Sequence, residues 1–228
     1  MPLIEVEDVT HVYGARGRPV LEDLNLVLTE QRVGIVGANG SGKSTFARLL
    51  NGLVVPTRGS VRVDGLDTRA DAGAIRRRVG FVFTNPDAQI VMPTVSEDVA
   101  FGLRRHGLDR RELQQRVDTT LERYGLLQHR DHPAHLLSGG QKQLLALASI
   151  LVTDPDVLVL DEPTTLLDLG NTRRITQTIA ALPQQVVLVT HQLDLLEGWD
   201  RVLVFDGGRV VADDVPARAL GHYRGLVW

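Results

Sequence analysis

Residues 37–45 read Gly37-Ala38-Asn39-Gly40-Ser41-Gly42-Lys43-Ser44-Thr45. This stretch matches the pattern G-x-x-x-x-G-K-[ST], in which glycines let backbone N–H groups surround a polyphosphate. In that pattern the lysine, here Lys43, reaches the β and γ phosphates, and the hydroxyl of Ser44 ligates magnesium. A plain glycine-rich turn is the alternative, but such a turn has no need of Lys-Ser at its end. The stretch therefore predicts a nucleotide and Mg²⁺ site built from Asn39 to Thr45.

The segments around this stretch predict a strand before it and a helix after it. Residues 33–36 are β-rich and end at a glycine, whereas residues 44–50 carry an apolar side and stop at Asn51-Gly52. Short Val-rich runs predict further strands at residues 3–9, 24–28, 60–63, 79–83, 157–160, 186–189 and 202–205. Several runs are apolar on both faces, which indicates a buried parallel sheet.

The pattern between residues 83 and 157 is helical instead. Apolar residues recur at helical spacing over residues 95–103, 111–124 and 140–151, with no strand among them. We therefore expect a single α/β domain over residues 1–228, with a helical subdomain at about 84–155.

Composition excludes several classes of function. The chain has 228 residues, no cysteine and a formal net charge of -3, so disulfides, thiolate metal sites and a basic nucleic-acid surface are not expected. The longest strongly apolar run, residues 144–152, is about half of the roughly 20 residues that span a bilayer. Any membrane role would come through a partner, and no nucleic-acid partner is expected.

Two adjacent carboxylates end one of the predicted strands. Residues 157–162 read Val157-Leu158-Val159-Leu160-Asp161-Glu162. In enzymes with this phosphate-binding loop, a carboxylate at such a strand end holds magnesium, the role we expect for Asp161. Glu162 is then placed to orient and deprotonate an attacking water. A polar boundary between strand and loop is the alternative reading of the pair.

A second glycine-rich stretch precedes this strand. Residues 137–143 read Leu137-Ser138-Gly139-Gly140-Gln141-Lys142-Gln143. Ser138 is a favourable N-cap, and the N–H groups of the helix that follows can hold an anion. Without further context, an ordinary capped helix is the favoured interpretation of the stretch.

The Leu-Ser-Gly-Gly-Gln sequence resembles the signature of ATP-binding cassette (ABC) ATPases, and it lies where that family has it, shortly before the Asp-Glu strand. The resemblance covers nearly the whole chain. It implies a cassette with a mainly parallel core sheet, an antiparallel β subdomain and a helical insert. Tyr13 resembles the aromatic residue that stacks on adenine, Asp168 the aspartate of the D-loop, and His191 the switch histidine at the γ phosphate. Packing roles are the alternative for Tyr13 and His191.

The family also implies a second cassette. In such proteins two cassettes pack head to tail, with ATP between the phosphate-binding loop of one and the signature of the other. Ser138, Gly140 and Gln141 are therefore expected to contact a nucleotide held by a second copy. We expect an ATP-dependent homodimer.

The chain departs from the family at two places. Where the family has a glutamine that contacts magnesium, this chain has Thr84, whose shorter side chain makes a direct metal contact doubtful and predicts slower hydrolysis or altered coupling. The segment from Thr164 to Asp168 is bulkier than the family's form, and Leu166 has no evident purpose.

Two further stretches resemble the ATPases of energy-coupling-factor (ECF) transporters. Residues 83–91 contain Asn-Pro-Asp-Ala-Gln, and residues 94–102 read Thr-Val-Ser-Glu-Asp-Val-Ala-Phe-Gly. A turn followed by a capped helix is the plain structural alternative. The resemblance implies uptake of a vitamin or transition-metal ion, with biotin or cobalt and nickel favoured. It also implies a transmembrane coupling subunit, a separate substrate-binding membrane protein and a place at the cytoplasmic membrane face. Another ABC importer or exporter, a soluble ABC ATPase and a weakly hydrolysing regulatory module are the alternatives.

Overall fold

A computed structural model describes residues 1–14, 17–104 and 106–227. Within these ranges the strands are β1 Ile4–Val12, β2 Pro19–Leu28, β3 Arg32–Gly37, β4 Arg58–Val63, β5 Leu66–Asp67, β6 Val79–Val82, β7 Val157–Asp161, β8 Gln185–Val189, β9 Arg201–Asp206 and β10 Arg209–Asp214. The helices are α1 Lys43–Leu50, α2 Ala72–Arg78, α3 Val95–Leu103, α4 Arg110–Arg123, α5 Gly139–Leu151, α6 Leu169–Ala180 and α7 Pro216–Val227.

The described residues divide into two compact units. The first unit comprises Met1–Phe81, Asp156–Glu162 and Pro183–Trp228, and the second comprises Val82–Pro155 and Pro163–Leu182. The first unit holds both sheets and the phosphate-binding stretch, whereas the second is helical and holds the Leu-Ser-Gly-Gly-Gln stretch.

The main sheet of the first unit has the strand order β10-β9-β3-β8-β7-β6. Strands β9, β3, β8 and β7 run parallel, and β10 is antiparallel to β9. Every residue of β7 and β8 is buried, as the continuous apolar runs predict for a parallel sheet covered on both faces. The parallel order brings the carboxyl ends of β3, β7 and β8 to one edge of the sheet.

A second, antiparallel sheet has the order β2-β1-β4-β5. Its strands alternate buried and exposed residues, so one face packs on the core and the other meets solvent. Helix α1 packs within the same unit, where Phe46 is fully buried and its ring centroid lies 5.2 Å from that of Phe205. The predicted fold class, with both a mainly parallel and an antiparallel sheet, is confirmed.

The second unit is built on α5, whose buried side faces α3 and α6. All three helices predicted between residues 84 and 155 are present as α3, α4 and α5. Capping boxes begin each of them, at Thr94, Asp109 and Ser138.

Some elements were not predicted from the sequence. Strand β5 has two residues, and β10 alternates apolar and polar residues too weakly to be recognised. Helix α6 carries Thr and Ile at its buried positions, which are poor helix formers. Helix α7 near the end of the chain was not predicted either, and it contains two glycines, Gly221 and Gly225, which are poor helix formers.

Candidate nucleotide-binding site

The phosphate-binding stretch forms a tight loop between β3 and α1. Gly37 has φ +151°, and a Cβ atom there would collide with the carbonyl oxygen of Phe205. Gly42 has φ +103°, and its Cβ would lie 2.6 Å from a methyl carbon of Leu21. Both positions therefore require glycine, because any side chain would force the loop off the sheet.

Lys43 is buried inside this loop. Its Nζ atom donates hydrogen bonds of 2.8 Å to the carbonyl oxygens of Gly37 and Ala38, and the residue is only 5% exposed. Burial lowers the pKa of Lys43, while the nearby charges of Asp161 and Glu162 act in the opposite direction. The ammonium is thus held against the inner surface of the loop by two backbone carbonyls.

Ser44 and Asp161 meet across 117 residues of sequence. The Ser44 hydroxyl donates a 2.9 Å hydrogen bond to Asp161 Oδ1, and Asp161 is 2% exposed. Burial raises the pKa of Asp161, whereas the Ser44 hydrogen bond and the charge of Arg48 lower it. Arg48 Nη2 lies 3.7 Å from Asp161 Oδ2. The sequence analysis missed Arg48, although its position four residues after Ser44 places both on one helix face.

Glu162 and His191 form the second polar pair. Glu162 Oε1 lies 2.6 Å from His191 Nε2. Glu162 also has φ +53°, a left-handed conformation that is strained for a residue with a long side chain. A hydrogen bond of 2.9 Å from its N–H to the Val189 carbonyl holds this conformation at the sheet edge. The pair can orient a water molecule at this edge of the sheet and accept a proton from it.

Several polar groups of the loop are available to bind an anion. Ser41 is 4% exposed, and its hydroxyl oxygen has no hydrogen-bond partner among the described residues. The residue before α1 is Gly42, so no side chain caps the first N–H groups of that helix. Buried polar atoms without partners are costly, and helix N-terminal N–H groups attract anions. The loop therefore fits a phosphate group.

The oxygen atoms beside the loop also fit Mg²⁺. Asp161 supplies a carboxylate and Ser44 a hydroxyl, which are hard donors of the kind that Mg²⁺ prefers. Over residues 1–14, 17–104 and 106–227 no group of three or more His, Asp or Glu side chains could hold a metal ion by itself. Mg²⁺ commonly uses only one or two protein oxygens, with phosphate and water completing its shell.

Tyr13 lies beside the start of α1. Its hydroxyl oxygen is 3.3 Å from Thr45 Oγ1, its ring meets that of His11 edge-on at 4.6 Å, and the residue is half exposed. An exposed aromatic face next to a phosphate-binding loop is available for stacking on a base. The structure thus places Tyr13 in the first unit with Lys43 and Asp161.

The predicted signature residues lie in the second unit. Ser138 caps α5: its hydroxyl accepts from the Gln141 N–H at 3.3 Å, and its own N–H donates to Gln141 Oε1 at 2.9 Å. Gln141 Nε2 also lies 2.9 Å from His129 Nε2. Both polar side chains are therefore engaged within the unit, and contact with a phosphate requires an exchange of partners.

Asp168 and Gly140 are joined through a residue that the sequence analysis did not single out. Asn171 donates to both carboxylate oxygens of Asp168 at 2.8 Å, from its N–H and its side chain. These bonds lower the pKa of Asp168. A Cβ on Gly140 would collide with the Asn171 side chain, so this glycine is fixed by packing within the unit.

Comparisons with known proteins decide the family. A family model described as "ABC transporter" matches residues 21–165. The chain belongs to the ABC transporter ATPase family. The biotin transport ATP-binding protein BioM of Rhizobium etli is 48% identical over 97% of each chain. The energy-coupling factor transporter ATP-binding protein EcfA1 of Caldanaerobacter subterraneus is 43% identical over 94% of this chain and 81% of its own.

A solved structure agrees with these relatives. The structure of cbiO1 from Clostridium perfringens, described as part of the ABC transporter complex cbiONQ, has a TM-score of 0.84 and 32% identity over 98% of this chain and 92% of its own. This ABC ATPase is accordingly of the ECF type, as the stretches at residues 83–91 and 94–102 predicted. In the described part of the chain, no helix combines the length and apolar character needed to cross a membrane.

Proposed function

We propose that this ABC ATPase is the ATP-hydrolysing subunit of an ECF-type importer that takes up a vitamin or a transition-metal ion. The observation that carries this proposal is the meeting of two polar pairs, Ser44 with Asp161 and Glu162 with His191, at the sheet edge beside the phosphate-binding loop. Loop, metal donors and a water-activating carboxylate are the parts that phosphoryl transfer to water requires.

Each side chain of the first unit has a role in this proposal. Lys43 binds the β and γ phosphates, and the residues Asn39, Gly40, Ser41, Gly42 and Thr45 complete the phosphate and nucleotide contacts. Ser44 and Asp161 hold Mg²⁺, which when bound supplies positive charge against the phosphates. Glu162 accepts the proton of the attacking water, and His191, at 2.6 Å, fixes the carboxylate's orientation and contacts the γ phosphate. Tyr13 stacks on adenine.

The remaining residues act in a dimer of two copies. Ser138, Gly140 and Gln141 contact the nucleotide held by the other cassette, so ATP binding stabilises the dimer and hydrolysis releases it. Thr84 contributes to the metal site through a bridging water, because its hydroxyl is short. We assign residues 1–228 to one cassette domain, with the helical subdomain at about 84–155.

The partners and solute follow from the relatives. We infer a transmembrane coupling subunit and a separate substrate-binding membrane protein, with this chain bound peripherally at the cytoplasmic membrane face. Biotin is the favoured solute because a biotin-transport ATPase is 48% identical over 97% of the chain, and cobalt or nickel is the second choice.

Reconstitution tests this proposal. The chain should be purified with the membrane proteins that accompany it in its own cell, and placed in vesicles loaded with Mg-ATP. Uptake of labelled biotin, Co²⁺ or Ni²⁺ should require ATP and should vanish with Glu162→Gln, which serves as the matched inactive control. A complex that hydrolyses ATP while exporting a solute, or that contains no membrane protein, would rule the importer out.

A further inference from the structure

The side chain of Gln89 connects the loop that carries Thr84 to helix α5. Gln89 Oε1 accepts a 3.1 Å hydrogen bond from the N–H of Phe83, the residue just before Thr84. Gln89 Nε2 donates a 2.9 Å hydrogen bond to the carbonyl oxygen of Ala146 in α5. Both ends of one amide are thus used, one on the loop and one on the helix that begins at the signature residues.

Two more contacts join the same loop to α5. Lys142 Nζ lies 2.7 Å from Asp87 Oδ1. Gln143, which is 2% exposed, directs its Nε2 atom to the Phe83 carbonyl at 3.5 Å. Lys142 and Ala146 are four residues apart, so their contacts lie on one face of α5.

The contacts differ in strength. The Asp87 side chain is 62% exposed, so its ion pair with Lys142 is largely screened by water. The Gln143 bond is at the limit of hydrogen-bond length. Gln89 makes two bonds of ordinary length to backbone groups, which do not move independently of their elements. Among these three contacts, Gln89 therefore makes the firmest connection between the loop and the helix.

We propose that Gln89 is a positioning residue that fastens the loop at Phe83 and Thr84 to the signature helix α5, so that the loop and the signature end move as one body. Its part in the transport cycle rests on the proposed function. Movement of this loop then reaches the signature residues Ser138 and Gln141 through α5, because Gln89 is bonded to both the loop and the helix. The nucleotide affected is then the one shared with the second cassette.

Two variants separate the halves of the amide. Gln89→Glu keeps an acceptor for the Phe83 N–H but replaces the donor that faces the Ala146 carbonyl with a carboxylate oxygen. Gln89→Met removes both bonds at similar length. Asp118→Asn is the control, since it breaks the 2.7 Å ion pair of Asp118 with Arg130 in the same unit without touching residues 83–89.

Hydrogen–deuterium exchange of the purified full chain measures the fastening directly. Exchange in peptides covering residues 83–90 should be fastest in Gln89→Met, intermediate in Gln89→Glu and unchanged in Asp118→Asn. A non-hydrolysable ATP analogue with Mg²⁺ should slow exchange in residues 83–90 and 137–143 together in the parent, and only in residues 137–143 in Gln89→Met. Equal exchange of the parent and Gln89→Met in residues 83–90 would overturn the proposal. It would also be overturned if the analogue still slowed exchange in residues 83–90 and 137–143 together in Gln89→Met.

Transport by the assembled complex measures the consequence. For Gln89→Met the melting temperature, the KM for ATP and the ATPase rate of the chain alone should stay near the parent's values. The solute moved per ATP hydrolysed should fall about tenfold. An unchanged ratio would overturn the positioning role. A parent complex that transports nothing would instead refute the proposed function, and the exchange experiment would still decide whether Gln89 fastens the loop.

Discussion

The phosphate-binding end of the first unit and the signature end of the second unit are built differently. In the first, Lys43 and Asp161 are 5% and 2% exposed and already hydrogen-bonded to loop and helix partners. In the second, Ser138 is exposed, and its hydroxyl and N–H are bonded to Gln141 at the start of α5. The side chains of the first end are buried and hydrogen-bonded within their unit, whereas those of the second end form an exposed helix cap, which we propose binds the nucleotide of a second copy. Substitutions at the two ends should therefore fail in different assays.

The largest effect is expected for Glu162→Gln. The amide keeps the shape and the contact with His191 but cannot accept a proton, so ATP turnover should fall at least about 100-fold. Nucleotide affinity should stay unchanged, and the ATP-bound dimer should accumulate. Turnover measured beside gel filtration with Mg-ATP checks both statements, and a turnover equal to the parent's would remove Glu162 from catalysis.

Lys43→Ala should act on binding itself. The variant loses the buried cation at the phosphates, a charge-assisted contact whose loss weakens nucleotide affinity roughly 10- to 100-fold. Titration of the isolated chain with a fluorescent ATP analogue gives the affinity. If the affinity is retained, the first end is not organised around this lysine.

Thr84→Gln should raise the ATPase rate of the assembled complex. The longer amide can reach the metal and the attacking water, and an increase of about tenfold corresponds to ~1.4 kcal/mol of barrier. Rates are compared at saturating Mg-ATP, with Thr84→Ser as the control that keeps a hydroxyl. An unchanged or lower rate would show that the neighbouring groups are adapted to threonine.

Ser138→Ala tests the signature end. Loss of the cap should lower the free energy of unfolding by ~1 kcal/mol. ATP binding by the monomer should be unaffected, while dimerisation with a non-hydrolysable analogue should weaken. Thr94→Ala removes an equivalent capping box from α3 and is the matched control. If light scattering shows equal dimerisation for both variants, Ser138 serves only as a cap.

The smallest effect concerns pH. Burial raises the pKa of Asp161, so the native state binds its proton more readily than the unfolded chain does. The pKa of an aspartate in the unfolded chain is about 4. The contribution of Asp161 to the free energy of unfolding of the parent therefore falls as pH rises from that value through the raised pKa of the native state. Asp161→Asn does not titrate, so in nucleotide-free urea unfolding its stability should increase relative to the parent's as pH rises across that range. Parallel pH profiles would contradict this reading.

Much of the site follows from sequence alone. The spacing of Gly37 to Thr45 is specific because a polyphosphate needs backbone N–H groups, a cation and a hydroxyl in a fixed order. Adjacent carboxylates at the end of a buried strand likewise predict a magnesium ligand and a general base. Arg48 and Gln89 were missed, because a cation on a helix or an amide in a turn looks the same in sequence whether or not it has a partner.

The family, the phosphate-binding pattern, the adjacent carboxylates Asp161 and Glu162 and the N-cap at Ser138 could all be recognised in the sequence, because each depends on neighbouring residues. Contacts between residues far apart in sequence could not be recognised in this way. Ser44 reaches Asp161, and Glu162 reaches His191, because the sheet order β3-β8-β7 brings three parallel strand ends to one edge. Nothing local encodes that order, since it results from packing whole strands and helices against one another.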